Sequence, residues 1–160
     1  QSGNTGGLTW AEASAGKILQ VVTNAKGDAF STTATNGSAP YGAAITGFDV
    51  AITPSSTSSK VMILLSAFMS NSTDNYYSFF YLYRNTSTEI FRNIVVGENT
   101  NSQGGYNIVN IYIDSPSSTS AQTYTPRLSA EGNTARIGAG AGGGTVNMPD
   151  SVITLMEIAG

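Results

Sequence analysis

The sequence lacks cysteine and histidine altogether. Without cysteine, neither a disulfide nor a thiolate metal site can form, and the redox compartment cannot be inferred. Without histidine, the commonest general base and every histidine-ligated zinc site are excluded, and with them Ser-His-Asp and Cys-His catalysis. These two absences remove most familiar enzyme mechanisms.

Charge is also scarce. Only 11% of the 160 residues are charged, and the net charge at pH 7 is −3. So few cations offer no basic surface to the phosphates of nucleic acid or to anionic lipid. No apolar run reaches the roughly 18 to 20 residues of a membrane span, and no charged-then-apolar leader opens the chain. We therefore expect a soluble protein with no nucleic-acid partner and no membrane insertion.

Small polar residues fill the sequence instead: 39 Ser and Thr, 18 Gly and 13 Asn, beside 15 aromatic residues. Such a composition, at 40% hydrophobic residues, predicts many short strands joined by polar turns. No stretch of 11 or more residues has the periodicity of an amphipathic helix. The predicted strands, about ten in number, are 17–24, 29–35, 45–53, 60–70, 76–84, 88–96, 106–114, 121–130, 134–139 and 151–158.

The chain length suits a single domain with a short extension. Residues 1–16 show little apolar periodicity beyond Leu8 and Trp10, and we interpret them as a linker. Residues 17–160 form the predicted β-sandwich. The first residue is Gln1 rather than Met, which suggests a processed protein or a piece of a longer one.

Turn residues mark several breaks. Asn85-Thr86-Ser87 predicts a hairpin, and Gly132-Asn133 predicts another between 127–128 and 135–137. Pro54 and Pro116 each open a Pro-Ser-Ser-Thr-Ser loop, which indicates two similar corners.

Hydrophobic periodicity predicts self-association. Phe48, Val50 and Ile52 alternate with less apolar residues, as in a strand with one face in water. Residues 61–65 and 153–156 do not alternate, so those strands need apolar cover on both faces. We expect a homo-oligomer to supply it. The alternative is cover by the Gly-rich loop or by the N-terminal segment.

Four separated strings carry a resemblance. They are GKILQVV at 16–22, ITPSSTSSKVMI at 52–63, Asp114-Ser115-Pro116 with Tyr124, and SVITLMEI at 151–158. Together they resemble tail-fibre and related virion surface proteins of marine bacteriophages, which have a C-terminal β-sandwich domain. The resemblance runs from about residue 7 to the C-terminus, and it implies that residues 1–16 could instead be the end of a fibre shaft.

The resemblance implies an all-β chain: an antiparallel β-sandwich, jelly-roll-like, assembled as a homotrimer on the phage particle surface. It implies no enzyme, and its partners would be the chain itself and other virion proteins. The expected function is a fibre-tip module that attaches to a host surface saccharide or protein. The alternative is a capsid-decorating, neck or head-fibre protein without host binding.

Aromatic residues supply candidate contacts. In the predicted strand 76–84, alternation places Tyr77, Phe79, Tyr81 and Tyr83 on one face and Tyr76, Phe80 and Leu82 on the other, which we interpret as core plus subunit interface. The oligomer-interface candidates are Val61, Ile63, Leu65, Tyr81, Tyr83 and Leu155. The receptor-contact candidates, chosen from predicted loops, are Tyr41, Asp74, Asn75, Asn101, Gln103 and Tyr106.

Catalytic and metal-binding interpretations find little support. A glycosidase needs two carboxylates about 5 to 9 Å apart, and the ten in this chain lie mostly at predicted strand ends. Asp74-Asn75 and Glu98-Asn99 are the best calcium candidates, and both lack dense oxygen ligands. A phosphate-binding loop is followed by Lys-Ser/Thr and opens a helix, and the Gly-rich stretch 140–144 has neither feature. We expect no catalytic residue, no metal and no cofactor.

Overall fold

The computed structural model describes residues 16–97, 104–145 and 148–160. These residues contain β-strands and no helix, and so no helix long enough to cross a membrane. Of the predicted linker, only Gly16 is among them. The strands are β1 (Ile18–Lys26), β2 (Phe30–Thr32), β3 (Ala43–Ala44), β4 (Val50–Ile52), β5 (Lys60–Asn71), β6 (Tyr77–Arg84), β7 (Thr88–Val96), β8 (Tyr106–Asp114), β9 (Gln122–Ala130), β10 (Ala135–Ile137) and β11 (Ser151–Ile158).

The strands form two antiparallel sheets. In the six-stranded sheet β1, β11, β5 and β8 lie side by side, and β10 continues along the β11 edge of β5 with β2 beyond it. In the five-stranded sheet β9, β6 and β7 are neighbours, and β3 and β4 share the free edge of β9. The order β1-β11-β5-β8 facing β4-β9-β6-β7 is that of a jelly roll. The predicted all-β, jelly-roll-like sandwich is confirmed.

The core lies between the sheets and follows the two-residue period of the strands. In β5 the side chains of Val61, Ile63 and Leu65 point inward and are fully buried. Phe80 and Leu82 of β6 face them from the other sheet. Burying an aliphatic side chain of this size stabilises the fold by about 1.5 to 3 kcal/mol. The even-numbered residues of β5 point away from this core.

One of the two predicted hairpins is confirmed. Residues 85–87 join β6 to β7, and Asn85 and Thr86 both have positive φ, 49° and 63°, as a primed turn requires. The hairpin predicted at Gly132-Asn133 is wrong, because β9 belongs to the five-stranded sheet and β10 pairs with β5 and β2 in the other. The turn residues mark a chain reversal, but burial of Ala135 and Ile137 in the core decides where β10 pairs.

The predicted strand 45–53 is shorter in the structure and is preceded by an unpredicted one. Only Val50–Ile52 forms a strand, since Gly47 has a positive φ of 77° and Phe48 N donates to Ile45 O at 3.2 Å. This turn still buries Ile45 and Phe48 completely. The two-residue strand β3 comes before it.

Candidate functional site

The residues predicted to contact a receptor do not gather in one place. Asp74 and Asn75, in the loop between β5 and β6, and Tyr106, at the start of β8, lie at the same end of the sandwich. Asn75 N donates to the carbonyl of Gly97, the residue that follows β7 at this end. Tyr41 lies elsewhere, on the outer face of the five-stranded sheet. Asn101 and Gln103 lie outside the described residues.

Residues 33–42 cover that outer face. The ring of Tyr41 packs 5.5 Å from the ring of Tyr81, and the Tyr81 hydroxyl donates to Asn36 Oδ1 at 2.7 Å. The guanidinium of Arg92 lies over both rings, 5.7 Å from the centre of Tyr41 and 5.6 Å from that of Tyr81. Tyr81 is therefore 1% exposed, although it points away from the core.

Polar groups fasten this loop to the sheet. Arg127 donates to the carbonyls of Pro40, Tyr41 and Gly42 at 3.4, 2.9 and 2.5 Å. The hydroxyl of Tyr83 accepts from Tyr41 N at 3.3 Å and donates to Glu89 at 3.1 Å. Burial raises the pKa of Tyr83, as it does that of Tyr81. The chain thus covers the part of the five-stranded sheet around Tyr81 and Tyr83, whereas Ile94 and Val96, further along β7, stay exposed.

The outer face of the six-stranded sheet is different. We call its three central rows the apolar face, and none of their side chains is charged. They are Val21, Thr23 and Ala25 of β1, Val152, Thr154 and Met156 of β11, Met62, Leu64 and Ser66 of β5, and Val109, Ile111 and Ile113 of β8. Val109 is 70% exposed and Ile111 69%. Apolar side chains this exposed are unfavourable in water.

The Gly-rich loop covers only the far end of this sheet. Ser70 Oγ donates to Ala139 O at 2.7 Å, and Arg136 donates to Ala141 O at the same distance. Both alanines are buried, so residues 138–145 pack on the sheet. The alternative source of cover is therefore present, but among the described residues it stops short of the apolar face.

A shallow hollow lies within the apolar face. Its volume is about 220 Å³, and the small side chains of Ser66 and Thr154 line it. Leu64, Val109 and Ile111 line it as well. The face therefore has both a depression and, beside it, protruding aliphatic side chains.

The oligomer-interface candidates lie inside the chain. Val61, Ile63, Leu65 and Leu155 are core residues, and Tyr81 and Tyr83 lie beneath residues 33–42. The sequence pattern correctly indicated strands with two apolar faces. The interface candidates chosen on them, Val61, Ile63, Leu65 and Leu155, point into the core, because nothing in the local pattern distinguishes the inner face from the outer one. The side chains available to a second copy are the even-numbered neighbours and the outer residues of β8.

Two inward-pointing carboxylates hold the opposite end of the sandwich. Glu157 of β11 and Asp114 of β8 both pair with Val61, on either side of β5. Glu157 accepts from Ser55 N and Oγ, both at 2.6 Å, and from Gln20 Nε2 at 2.7 Å. Burial alone would raise the pKa of Glu157, but these hydrogen bonds outweigh it and lower the pKa to about 2.

Asp114 is held in the same manner. It accepts from Arg84 at 2.5 Å, from the Tyr124 hydroxyl at 2.7 Å and from Ser115 N at 2.8 Å. Burial, together with the hydrogen bond to this carboxylate, raises the pKa of Tyr124. Every oxygen of Glu157 and Asp114 has a partner, so both carboxylates serve the architecture. Asp114 lies two residues before Pro116, where the second Pro-Ser-Ser-Thr-Ser corner begins, and this position beside a recurring corner is the local sequence signal for it.

No group of three Asp and Glu able to hold a metal ion occurs in the described ranges. Of the calcium candidates, Glu98 and Asn99 lie outside those ranges, and Asp74 is an exposed loop residue.

No family model and no curated protein matches the chain. Two similar solved structures come from infectious bursal disease virus. One is of T=1 particles, with a TM-score of 0.46, 11% identity, and coverage of 87% of this chain and 37% of that one. The other is of the VP2 subviral particle, with a TM-score of 0.42, 14% identity, and coverage of 87% and 39%. The chain thus spans about two fifths of their length, and these similarities assign it neither an activity nor a partner.

Proposed function

We propose that this chain is a virion surface protein, a β-sandwich module that assembles with other virion subunits through the apolar face. The observation that carries the proposal is the face itself, which is contiguous and uncharged, with half-buried side chains on β5 and β11 and exposed ones on β8 and β1. Exposed apolar patches larger than a few hundred Å² usually mark interaction sites. The jelly-roll order occurs in viral capsid and lectin domains, but a fold alone does not determine function.

The assignment to a phage particle rests on the resemblance, and the structure gives its strings a common role. Gln20 from 16–22, Ser55 from 52–63 and Glu157 from 151–158 meet in one hydrogen-bonded cluster. Asp114 and Tyr124, from the remaining string, bond to each other beside it. Strings that are far apart in sequence therefore build one end of the sandwich, which supports a shared architecture with phage surface proteins.

Host attachment is the finer part of the proposal. At the end opposite the carboxylates, Tyr76, Tyr77 and Tyr106 are 42%, 41% and 37% exposed, and Asp74 and Asn75 lie beside them in the chain. Tyrosine rings can stack on sugars while neighbouring polar groups bind hydroxyls. Several copies on one particle, three if the resemblance holds, would raise the apparent affinity by about 10² to 10⁴ through multivalency.

The second candidate function is purely structural: a capsid-decorating, neck or head-fibre protein that does not bind the host. One observation favours it. The most exposed large hydrophobic side chains of the described residues, Val109 and Ile111, belong to an aliphatic surface that suits subunit packing rather than sugar hydroxyls.

Two measurements test these functions. Antibodies against the chain should label purified phage particles, and particles without the chain would contradict the virion assignment. Purified protein should compete with the phage for host cells, and Tyr106→Ala should weaken competition while Thr57→Ala, at the opposite end, should not. Labelled particles without any competition would favour the structural function.

A further inference from the structure

We infer that the apolar face is covered by the same face of a second copy of this chain. The inference rests on the proposed function in treating the face as a subunit contact, and it adds the identity of the partner. Size is the first argument. Strands about 4.8 Å apart and rows about 6.8 Å apart give the four strands and three rows a flat footprint of roughly 400 Å² on each copy. Protruding side chains such as Val109 and Ile111 add accessible area to this footprint. Two such faces therefore bury at least roughly 800 Å² in total, which approaches the ~1,000 Å² expected of a biological interface.

Charge is the second argument. A charged partner surface placed on the apolar face would lose water without gaining an ion pair. The other outer face of this chain carries Glu89, Arg92 and Arg127. Its exposed apolar side chains are confined to β6 and β7, as at Ile94, so it is a poorer complement than a second copy of the apolar face. The apolar face has no charged side chain, and a second copy of it therefore buries none.

Polar groups on the face are compatible with burial. Thr23 Oγ1 and Thr154 Oγ1 lie 3.0 Å apart and hydrogen-bond to each other. Removing water from this pair leaves one hydroxyl hydrogen without an acceptor instead of two, so the penalty for a stranded polar group is reduced.

Shape is the third argument. The hollow lined by Ser66 and Thr154 lies next to Ile111, which projects into solvent. A two-fold axis that lies in the plane of the contact, between Ile111 and the hollow, places Ile111 of each copy opposite the hollow of the other, as in the isologous contact of a cyclic dimer. A face shared in this way produces pairs. The three copies that the resemblance implies would need a further contact.

The first test is the molar mass in solution, measured by sedimentation equilibrium. Wild-type protein at about 100 µM, a concentration that detects even weak pairing, should have twice the 16.6 kDa of one chain. Leu64→Glu and Ile111→Glu should reduce the mass to that of one chain. The matched control Thr88→Glu, an exposed position on β7, should keep the wild-type mass. Ile111 is 69% exposed in the single chain, so its substitution separates loss of pairing from loss of folding, checked by circular dichroism.

The second test uses the absence of native cysteine. Ser66→Cys and Ile111→Cys are made in separate chains, so that each chain carries a single thiol. Mild oxidation of the two variants mixed together should link them, because the shared face places Ile111 of one copy against Ser66 of the other, and Thr88→Cys mixed with Ser66→Cys should not link. A mixture of Ser66→Cys and Ile111→Cys that cross-links no more than this control would overturn the shared face.

A wild-type chain that stays at 16.6 kDa would also overturn the inference. If residues 1–15 covered the face instead, the chain would remain single and Leu64→Glu would shift the fluorescence of Trp10, the only tryptophan. The proposed function would survive either result provided that antibodies against the chain label the phage particles. It would fail separately if the chain were missing from them.

Discussion

The two outer faces of the sandwich differ in chemistry and in what covers them. On the five-stranded sheet, Tyr81 and Tyr83 carry hydroxyls, and residues 33–42 provide the polar groups that those hydroxyls need. On the six-stranded sheet, Met62, Leu64 and Ile111 are aliphatic and need no hydrogen-bond partner, and the described residues leave Met62 and Leu64 half-buried and Ile111 exposed. Large side chains on an outer face can thus be removed from water in two ways. Polar aromatic residues are covered by a loop of the same chain, and aliphatic residues suit contact with another apolar surface.

The largest effect on stability is expected on the covered face. Tyr81→Ala removes a fully buried ring that contacts Tyr41 and Arg92, and should lower the free energy of unfolding by about 3 to 5 kcal/mol. Tyr81→Phe removes only the bond to Asn36 and should lower it by about 1 kcal/mol. Urea denaturation measures both. A loss under about 1 kcal/mol for Tyr81→Ala would mean that the loop is not a stabilising cover.

Acid should lower the stability of the six-stranded sheet at the end that contains Glu157. The pKa of Glu157 is about 2 in the folded chain against an ordinary 4.5, so its contribution is complete above pH 4.5 and is lost as the pH falls towards 2. The shift corresponds to at most about 3 kcal/mol.

Urea denaturation at several pH values measures this loss. Glu157→Gln removes the titrating group and should flatten the dependence of stability on pH in that window. An unchanged slope in Glu157→Gln would show that Glu157 is not the source of the acid sensitivity.

Arg127 should have a smaller effect, again on the covered face. Arg127→Ala removes the donor to three loop carbonyls and should lower stability by about 1.5 to 3 kcal/mol. Arg127→Lys should recover only part of this, since one ammonium does not reproduce the planar fork. Hydrogen exchange should show faster opening of residues 33–42. Equal protection in wild type and Arg127→Ala would exclude this role.

The smallest effect on the single chain is expected on the apolar face. Val109→Ser should change the unfolding free energy of dilute protein by less than about 0.5 kcal/mol, because the side chain is already mostly in water. The same change should weaken association. A large destabilisation at low concentration would mean that Val109 is buried within its own chain.

Much of the fold was predictable because alternation and turn residues are local signals. The long strands β5 to β9 and β11 lie within two residues of their predicted bounds. The pairing of β10 was missed, because it depends on a partner far away in the chain. The cluster at Glu157 was missed for the same reason, since Ser55 lies 102 residues before it.

The candidate site was predictable only in part. The sequence indicated that strands 61–65 and 153–156 have two apolar faces, but the register with β8 and β11 decides that Met62 and Leu64 point outward. Tyr41 was assigned to an exposed loop, whereas its ring and carbonyl hold that loop on the sheet. A loop that folds back on its own sheet leaves no local pattern in the sequence.

Methionine oxidation tests the central claim most directly, because Met62 and Met156 are neighbours on the apolar face. Their oxidation by peroxide, followed by mass spectrometry, should be slow in concentrated protein and several-fold faster after dilution, while Met148, outside the face, stays unchanged. If Met62 and Met156 were oxidised as fast in concentrated protein as in dilute protein, the claim that a second copy covers the apolar face would be contradicted.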